Sequence, residues 1–411
     1  MDTLTNPWLS RYAKFCVAMV LLLILLGAFV TTYDAGMAVP TWPTINGDIN
    51  PSGWWKDHLV LLEHSHRMVA ALIGLFVGIL CVWIWGNCWA LGVAAGVSGL
   101  CRALATALHL DGNLSTQLMI WPAAIVFVLF LIFTHRRSGG KVTKIHKLVL
   151  IVFFCVCVQA VMGGYRVKLE TAGNDAVKAA NAELALGKDA APDVAAAHKA
   201  KADELGSKAQ ALYPLATDLR VVHGIFAQIT LCLLVILATL LSPISAQLRA
   251  TTGPAGARKI YGMAIGALFL YFCQLSLGAY IRHHNFAMVI PTWPGGWPQA
   301  WVEPVTVHFL HSRLLPFLIF GHFLSIMISC FKRAKGEGRL IRPGVGLFVL
   351  VLIQIMFGAL IIWKGGRFNG PHAANSHVVN GALILSTAAM LAVRAKLLVR
   401  RESAAPTGAA A

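Results

Sequence analysis

Charge is scarce in this chain. Asp and Glu supply 17 of the 411 residues and Lys and Arg 34, so charged side chains make up only 12% of it. So few cannot solvate the surface of a soluble protein this long. With 57% hydrophobic residues and a mean hydropathy of +0.69, the composition is that of a membrane protein. Cysteine pairs at redox or zinc spacing are missing. Cys16, Cys81, Cys88, Cys101, Cys155, Cys157, Cys232, Cys273 and Cys330 contain no CxxC and lie almost entirely in apolar runs. They read as small core hydrophobes. The first apolar run has no A-x-A cleavage site and is long enough to span, so it reads as a helix and not a removed leader.

Apolar runs near 15–33, 59–85, 89–110, 117–134, 147–165, 219–241, 260–281, 305–330, 343–363 and 376–393 predict about ten spans. The pair at 89–110 and 117–134 is the weakest, interrupted by Arg102 and His109. A net charge of +17 would suit nucleic acid. In a membrane chain it marks topology, because Lys and Arg gather in cytoplasmic loops. With ten spans and a cytoplasmic N-terminus, Arg11 and Lys14, the cluster Arg136 to Lys147, Arg249 to Lys259, Lys332 to Arg342 and Arg394 to Arg401 all fall on the inside. Both termini are therefore expected in the cytoplasm. Residues 168–215 are different: they are rich in Ala, Lys, Asp and Glu, are broken by Gly187 and Pro192, and predict two polar helices beyond the membrane.

The chain also repeats itself. LGAFVTTYDAGMAVPTWP at 26–43 and LGAYIRHHNFAMVIPTWP at 277–294 share eight of eighteen positions, ending in PTWP. Glu63-His64-Ser65-His66-Arg67 corresponds to His308-Phe309-Leu310-His311-Ser312. Gln159 to Gly163 corresponds to Gln354 to Gly358, and His223 to His377. His311 to Gln354 is 43 residues, whereas His66 to Gln159 is 93. Gln354 to His377 is 23, whereas Gln159 to His223 is 64. The first half therefore carries two insertions, a helix pair at about 87–140 and the Ala-rich segment at about 168–215. The expected fold is all-α and polytopic: two parallel-repeat four-helix bundles, residues 1–241 and 242–411, with eight core helices plus an inserted transmembrane hairpin.

His66, His223, His311 and His377 each sit near the outer end of a helix, one per pair of helices. Burying an ionisable group in a membrane is costly and marks function by default. Imidazole is a common haem ligand, and facing helices of a bundle present ligands into its core. The four predict two haems, each held from both faces. Arg67 and Arg313 follow the ligands and are candidate partners for haem propionates, or interfacial anchors. Glu63 lies one turn before His66; its counterpart is His308, so only one of the two sites has a carboxylate beside it. A plain ion pair with Arg67 is the alternative role for Glu63. His283 and His284 are read as solvated loop residues.

These motifs resemble the haem A synthase family, through E-x-x-H-R at 63–67, the paired glycine-bearing helices with PTWP, and Q-x-x-x-G at 159–163 and 354–358. The resemblance covers the chain except roughly 87–140 and 168–215. It implies oxidation of the C8 methyl group of haem O to a formyl group, giving haem A for cytochrome oxidase. It places substrate haem O between His66 and His223, with Glu63 catalytic, and a resident haem b between His311 and His377. It implies a bacterial inner membrane with the haem sites toward the outer face. Haem O synthase, an electron donor and a second copy of the chain are candidate partners; nucleic acid is not. No cysteine occurs between 36 and 57, which excludes the cysteine pair some family members carry there. The second half reads His311-Ser312-Arg313 where H-R is usual, and the inserted helix pair is unusual.

Three other readings compete. A non-catalytic di-haem b electron carrier would use the same four ligands. A parallel-repeat transporter would need broken helices at the bilayer midplane, whereas the polar residues here cluster near one face. A di-iron hydroxylase would need clustered His and carboxylate ligands, and these are not supplied.

Overall fold

A computed structural model describes residues 6–42, 45, 51–110, 112–250 and 256–402. Among these, helices account for all the long elements, and ten are long and apolar enough to cross a membrane. The chain is thus an all-helical, multi-pass membrane protein.

Local chemistry sets the helix ends. Helix α1 (Pro7–Thr32) has Pro at its first position and the Asn6 side chain accepting from Trp8 N–H at 2.9 Å. Helix α2 (His58–Trp85) is capped by Asp57, which accepts from Leu59 and Val60 N–H, and stops at Gly86 with φ 73°. Helices α3 (Trp89–Ala107) and α4 (Gly112–Arg137) form the inserted pair. They pack mainly on each other and touch α2. They stay at the periphery, with Trp89, Leu100 and Leu129 exposed. At one end the rings of His135, His146 and Trp85 tie the pair to α2 and α5, His135 and His146 being 4.6 Å apart.

Helices α5 (Lys144–Leu186) and α6 (Pro192–Leu240) differ from expectation. The polar segment is not a separate pair of helices but the unbroken continuation of two spans. At ~1.5 Å per residue, 43 and 49 residues exceed a ~30 Å apolar core about twofold. The projecting parts close on a seam of Gly173, Ala176, Ala180, Ala202 and Ala209. Tyr213 lies over Gly173 and donates to Asn174 Oδ1 at 2.8 Å.

A short helix α7 (Pro243–Ala250) leads to α8 (Ala257–His283), α9 (Glu303–Phe309), a five-residue π turn (Leu310–Leu314), α10 (Leu315–Arg333), α11 (Gly338–Trp363) and α12 (Pro371–Glu402). Helices α1, α2, α5 and α6 pack as one ring, and α8, α10, α11 and α12 as another; α1, α6, α8 and α12 meet between them. Each ring has its own apolar core.

Candidate haem site

Each of the four histidines rests on a glycine of the preceding long helix. A Cβ on Gly27 would stand 3.1 Å from His66 Cε1, and one on Gly278 would stand 2.7 Å from His311 Cε1. Gly163 and Gly358 relate to His223 and His377 in the same way, both at 3.3 Å. These are the glycines of the repeated L-G-A and Q-x-x-x-G motifs. Their role is to let an imidazole lie directly on a helix backbone. The glutamines of Q-x-x-x-G brace the same turns: Gln159 Nε2 donates to His223 O, and Gln354 Nε2 to His377 O, both at 3.1 Å.

The imidazole nitrogens divide into two kinds. Nδ1 of His66, His223 and His377 is buried without a hydrogen-bond partner, and His311 Nδ1 meets Gln274 O at 3.0 Å. Among the described residues, no hydrogen bond engages Nε2 of any of the four. The His311 and His377 rings face each other with centroids 6.3 Å apart at 68°. Two imidazoles sharing one ion, with ~2 Å metal–nitrogen bonds, place their centroids about 6 Å apart. Among the described residues no three His, Cys, Asp or Glu side chains gather into a metal cluster. The donor set suits a planar macrocycle held by one imidazole on each face.

Glu63 and Arg67 belong to the first loop as much as to the histidine. Glu63 is 3% exposed, and Arg67 Nη2 donates to its Oε1 at 2.5 Å. Val39 N–H donates to Glu63 Oε2 at 2.8 Å, while Arg67 donates to Thr41 O at 2.6 Å and Val39 O at 2.7 Å. Arg166, which sequence reading missed, adds a bond to Gly36 O at 2.8 Å, and Thr171 one to Pro40 O at 2.9 Å. Trp42 lies on Gly164, where a Cβ would overlap its ring. Pro43, the end of this PTWP copy, lies outside the described residues.

The second loop is held alike, with different parts. Arg313 donates to Thr292 O at 2.5 Å and to Gly295 O at 2.6 Å. His308, in the place of Glu63, meets Ala287 O at 3.1 Å. Trp293 Nε1 donates to Ser312 O at 3.1 Å. Arg313 therefore fastens the second loop as Arg67 does the first, although it stands one residue further from its histidine. The π turn at Leu310–Leu314 accommodates that extra residue. Deleting Ser312 is expected to turn the π turn into α-helix and to keep Arg313 on the loop. Deleting Leu318, in the same helix, should throw the buried face out of phase. Haem per polypeptide after purification checks this: the Ser312 deletion retains it and the Leu318 deletion loses it.

Two features break the repeat. Glu63 faces His308, and Gln274, whose Nε2 donates to His311 O at 2.8 Å, faces Leu23 in the other copy. The first ring thus has a carboxylate near His66, and in the second both histidine turns, not one, are braced by a glutamine. His283, expected in a solvated loop, is instead the last residue of α8, half-buried with its Nε2 4.0 Å from a Cβ built on Gly224. The arginine just before it caps a helix end, and that environment is not visible from the apolar pattern.

Part of this sequence is similar to known proteins. The sequence model of the cytochrome oxidase assembly protein family matches residues 217–389, a stretch with His223, His311, Arg313 and His377. Heme A synthase of Lysinibacillus sphaericus is 35% identical over 81 residues, 20% of this chain and 26% of the relative. That of Geobacillus kaustophilus is 31% identical over 117 residues, 28% and 34% of the two chains. That of Rhodospirillum centenum is 32% identical over 126 residues, 28% and 32%. The chain therefore spans between a quarter and about a third of the length of these relatives. Over residues 217–389 and these shorter stretches, the chain is thus similar to cytochrome oxidase assembly proteins and to haem A synthases.

Proposed function

We propose that this protein is a haem A synthase, oxidising the C8 methyl group of haem O to a formyl group. The observation that carries the reading is the fourfold seat: His66, His223, His311 and His377, each laid on a helix glycine with Nε2 uncommitted. Residues 1–241 form the substrate half, with haem O between His66 and His223. Residues 242–411 form the haem b half, with His311 and His377 as iron ligands. When bound, haem b supplies one-electron transfer. Gln274 and Gln354 fix the turns that carry its ligands, and Arg313 holds the loop beside them. On the substrate side, Arg67 holds Glu63 in place, one turn from His66. The Glu63 carboxylate stabilises positive charge at the methyl carbon and takes up protons released there.

The distribution of Lys and Arg supports both termini in the cytoplasm of a bacterial cell and the histidine end toward the outer face of the inner membrane. Haem O synthase as supplier and a membrane electron-transfer partner follow from the reaction.

One observation favours the runner-up, a di-haem b electron carrier: both Glu63 oxygens are engaged by Arg67 and Val39, as in a purely structural pair. Expression in cells that make haem O but lack their own synthase separates the two. Chromatography of extracted haem shows haem A or its hydroxylated intermediate only with a synthase. Haem O and haem B alone, with haem bound to the protein, support the carrier.

A further inference from the structure

The two rings of helices meet along α1, α6, α8 and α12. At the histidine end this seam holds more cations than anions. Arg282, in the last turn of α8, crosses it, its Nη2 donating to Ala28 O at 2.9 Å and to Thr32 Oγ1 at 2.7 Å. Thr32 in turn bonds Asn375 Oδ1 at 2.6 Å. Both partners of Arg282 are neutral. Asp34, the nearby carboxylate, is taken by Arg367 at 2.9 Å. Arg220 reaches Glu170 only at 4.0 Å, and Glu170 already serves Arg166 at 3.1 Å. Asp218 is taken by His284 at 3.4 Å. Nε of Arg220, Nε of Arg367 and Nδ2 of Asn375 are buried with no partner.

A partly buried cation without a counter-charge, such as Arg282, is costly in a membrane protein, and orphaned donors add to that cost. The carbonyl ends of α1 and α8 offset part of it. An anion that offers several carboxylate oxygens would offset the rest.

We propose that Arg282, Arg367 and Arg220 form a carboxylate-binding seam between the two histidine pairs, occupied by the acidic side groups of the bound tetrapyrroles. The inference rests on the function proposed above. Arg67 and Arg313 are poorer candidates, because both terminal nitrogens of each are committed, whereas Arg282 is bonded through Nη2 alone among the described residues. The seam is central: Arg282 bonds Ala28, next to the Gly27 seat of His66, Thr32 bonds Asn375, two residues before His377, and His283 lies against Gly224, next to His223. One cationic patch thus serves both pairs.

The test uses the full-length protein purified with haem b bound. It measures the rate of haem loss to a scavenging protein and the midpoint potential of the haem that remains. Arg282→Gln is expected to release haem about tenfold faster or more, the scale of one charge-assisted bond. It should also lower the potential, because losing a cation favours the ferric state. Arg282→Lys should recover most of both. Thr32→Val cuts the tether across the seam but keeps the cation, and should stay near the unmodified protein. Combining Arg282→Gln with His66→Ala or with His311→Ala shows which pair's haem reaches the seam. The proposal is overturned if Arg282→Gln and Arg367→Gln both leave release and potential unchanged in a protein that binds haem. It is equally overturned if Thr32→Val shifts both as far as Arg282→Gln does. An unmodified protein that takes up no haem overturns the functional reading itself.

Discussion

Gly278→Ala is expected to abolish the six-coordinate haem signal of the second half while the first half keeps its own. The new Cβ would stand 2.7 Å from His311 Cε1, closer than such contacts occur, so the ring must move. It has nowhere easy to go, since its Nδ1 is fixed on Gln274 O and its backbone carbonyl on Gln274 Nε2. Ligand geometry must hold to within about 0.5 Å to be productive. Disturbing the groups that orient a metal ligand costs ~10–100-fold in affinity. Gly358→Ala, with 3.3 Å to His377 Cε1, calls for a shift of only a few tenths of an ångström and should weaken the site less. Gly262→Ala, in the same helix as Gly278 with nothing within 4 Å, should leave the spectrum intact. Low-temperature optical spectra and haem stoichiometry read all three. Full occupancy in Gly278→Ala would mean that His311 is not an iron ligand.

The second large effect concerns Glu63, where structure and chemistry are entangled. Glu63→Ala leaves the partly buried Arg67 without its counter-charge and frees Val39 N–H. Breaking a buried pair from one side costs about 3–5 kcal/mol, so lost activity in that variant proves little. Glu63→Leu combined with Arg67→Met removes both charges and should regain much of the thermal stability. Glu63→Gln keeps an acceptor for Val39. If the carboxylate acts on the methyl carbon, both variants should bind haem yet make haem A ~100-fold more slowly or worse, the usual scale for losing an acid–base group. Near-normal turnover in Glu63→Gln would assign the residue to the loop alone.

The sequence foreshadowed much of the scaffold for simple reasons. Apolar runs mark spans, even the weak pair at 89–110 and 117–134 that Arg102 interrupts, and Gly187 and Pro192 do bracket the turn between α5 and α6. The four histidines stand out because they repeat in register, and the structure brings them to one end. Other features depend on helices far apart in the chain. The glycine seats are visible only once α1 is laid on α2 and α8 on α9. Arg282 looks like any basic residue at a helix end until its partners on α1 are known. The contrast of Gln274 with Leu23 falls just before the conspicuous part of the repeat. The continuity of α5 and α6 beyond any membrane thickness was hidden by a change from apolar to polar composition, which alters what a helix faces and not whether it is one.

The π turn has a numerical consequence. Up to His311, its second residue, the chain keeps step with α2 at a separation of 245 residues: Glu63 and His308 are both buried, and His66 and His311 both rest on glycines. Beyond it, buried Ile73, Val77, Leu80 and Ile84 of α2 correspond to buried Ile319, Phe323, Ile326 and Cys330 of α10, now 246 apart. At the old separation, Ile73 would face Leu318, which is 51% exposed. The two copies therefore differ by one inserted residue whose angular offset is absorbed within a single turn. Upstream, the ligand keeps its phase; downstream, the core keeps its own. Any superposition of the two copies must change its residue pairing at Ser312.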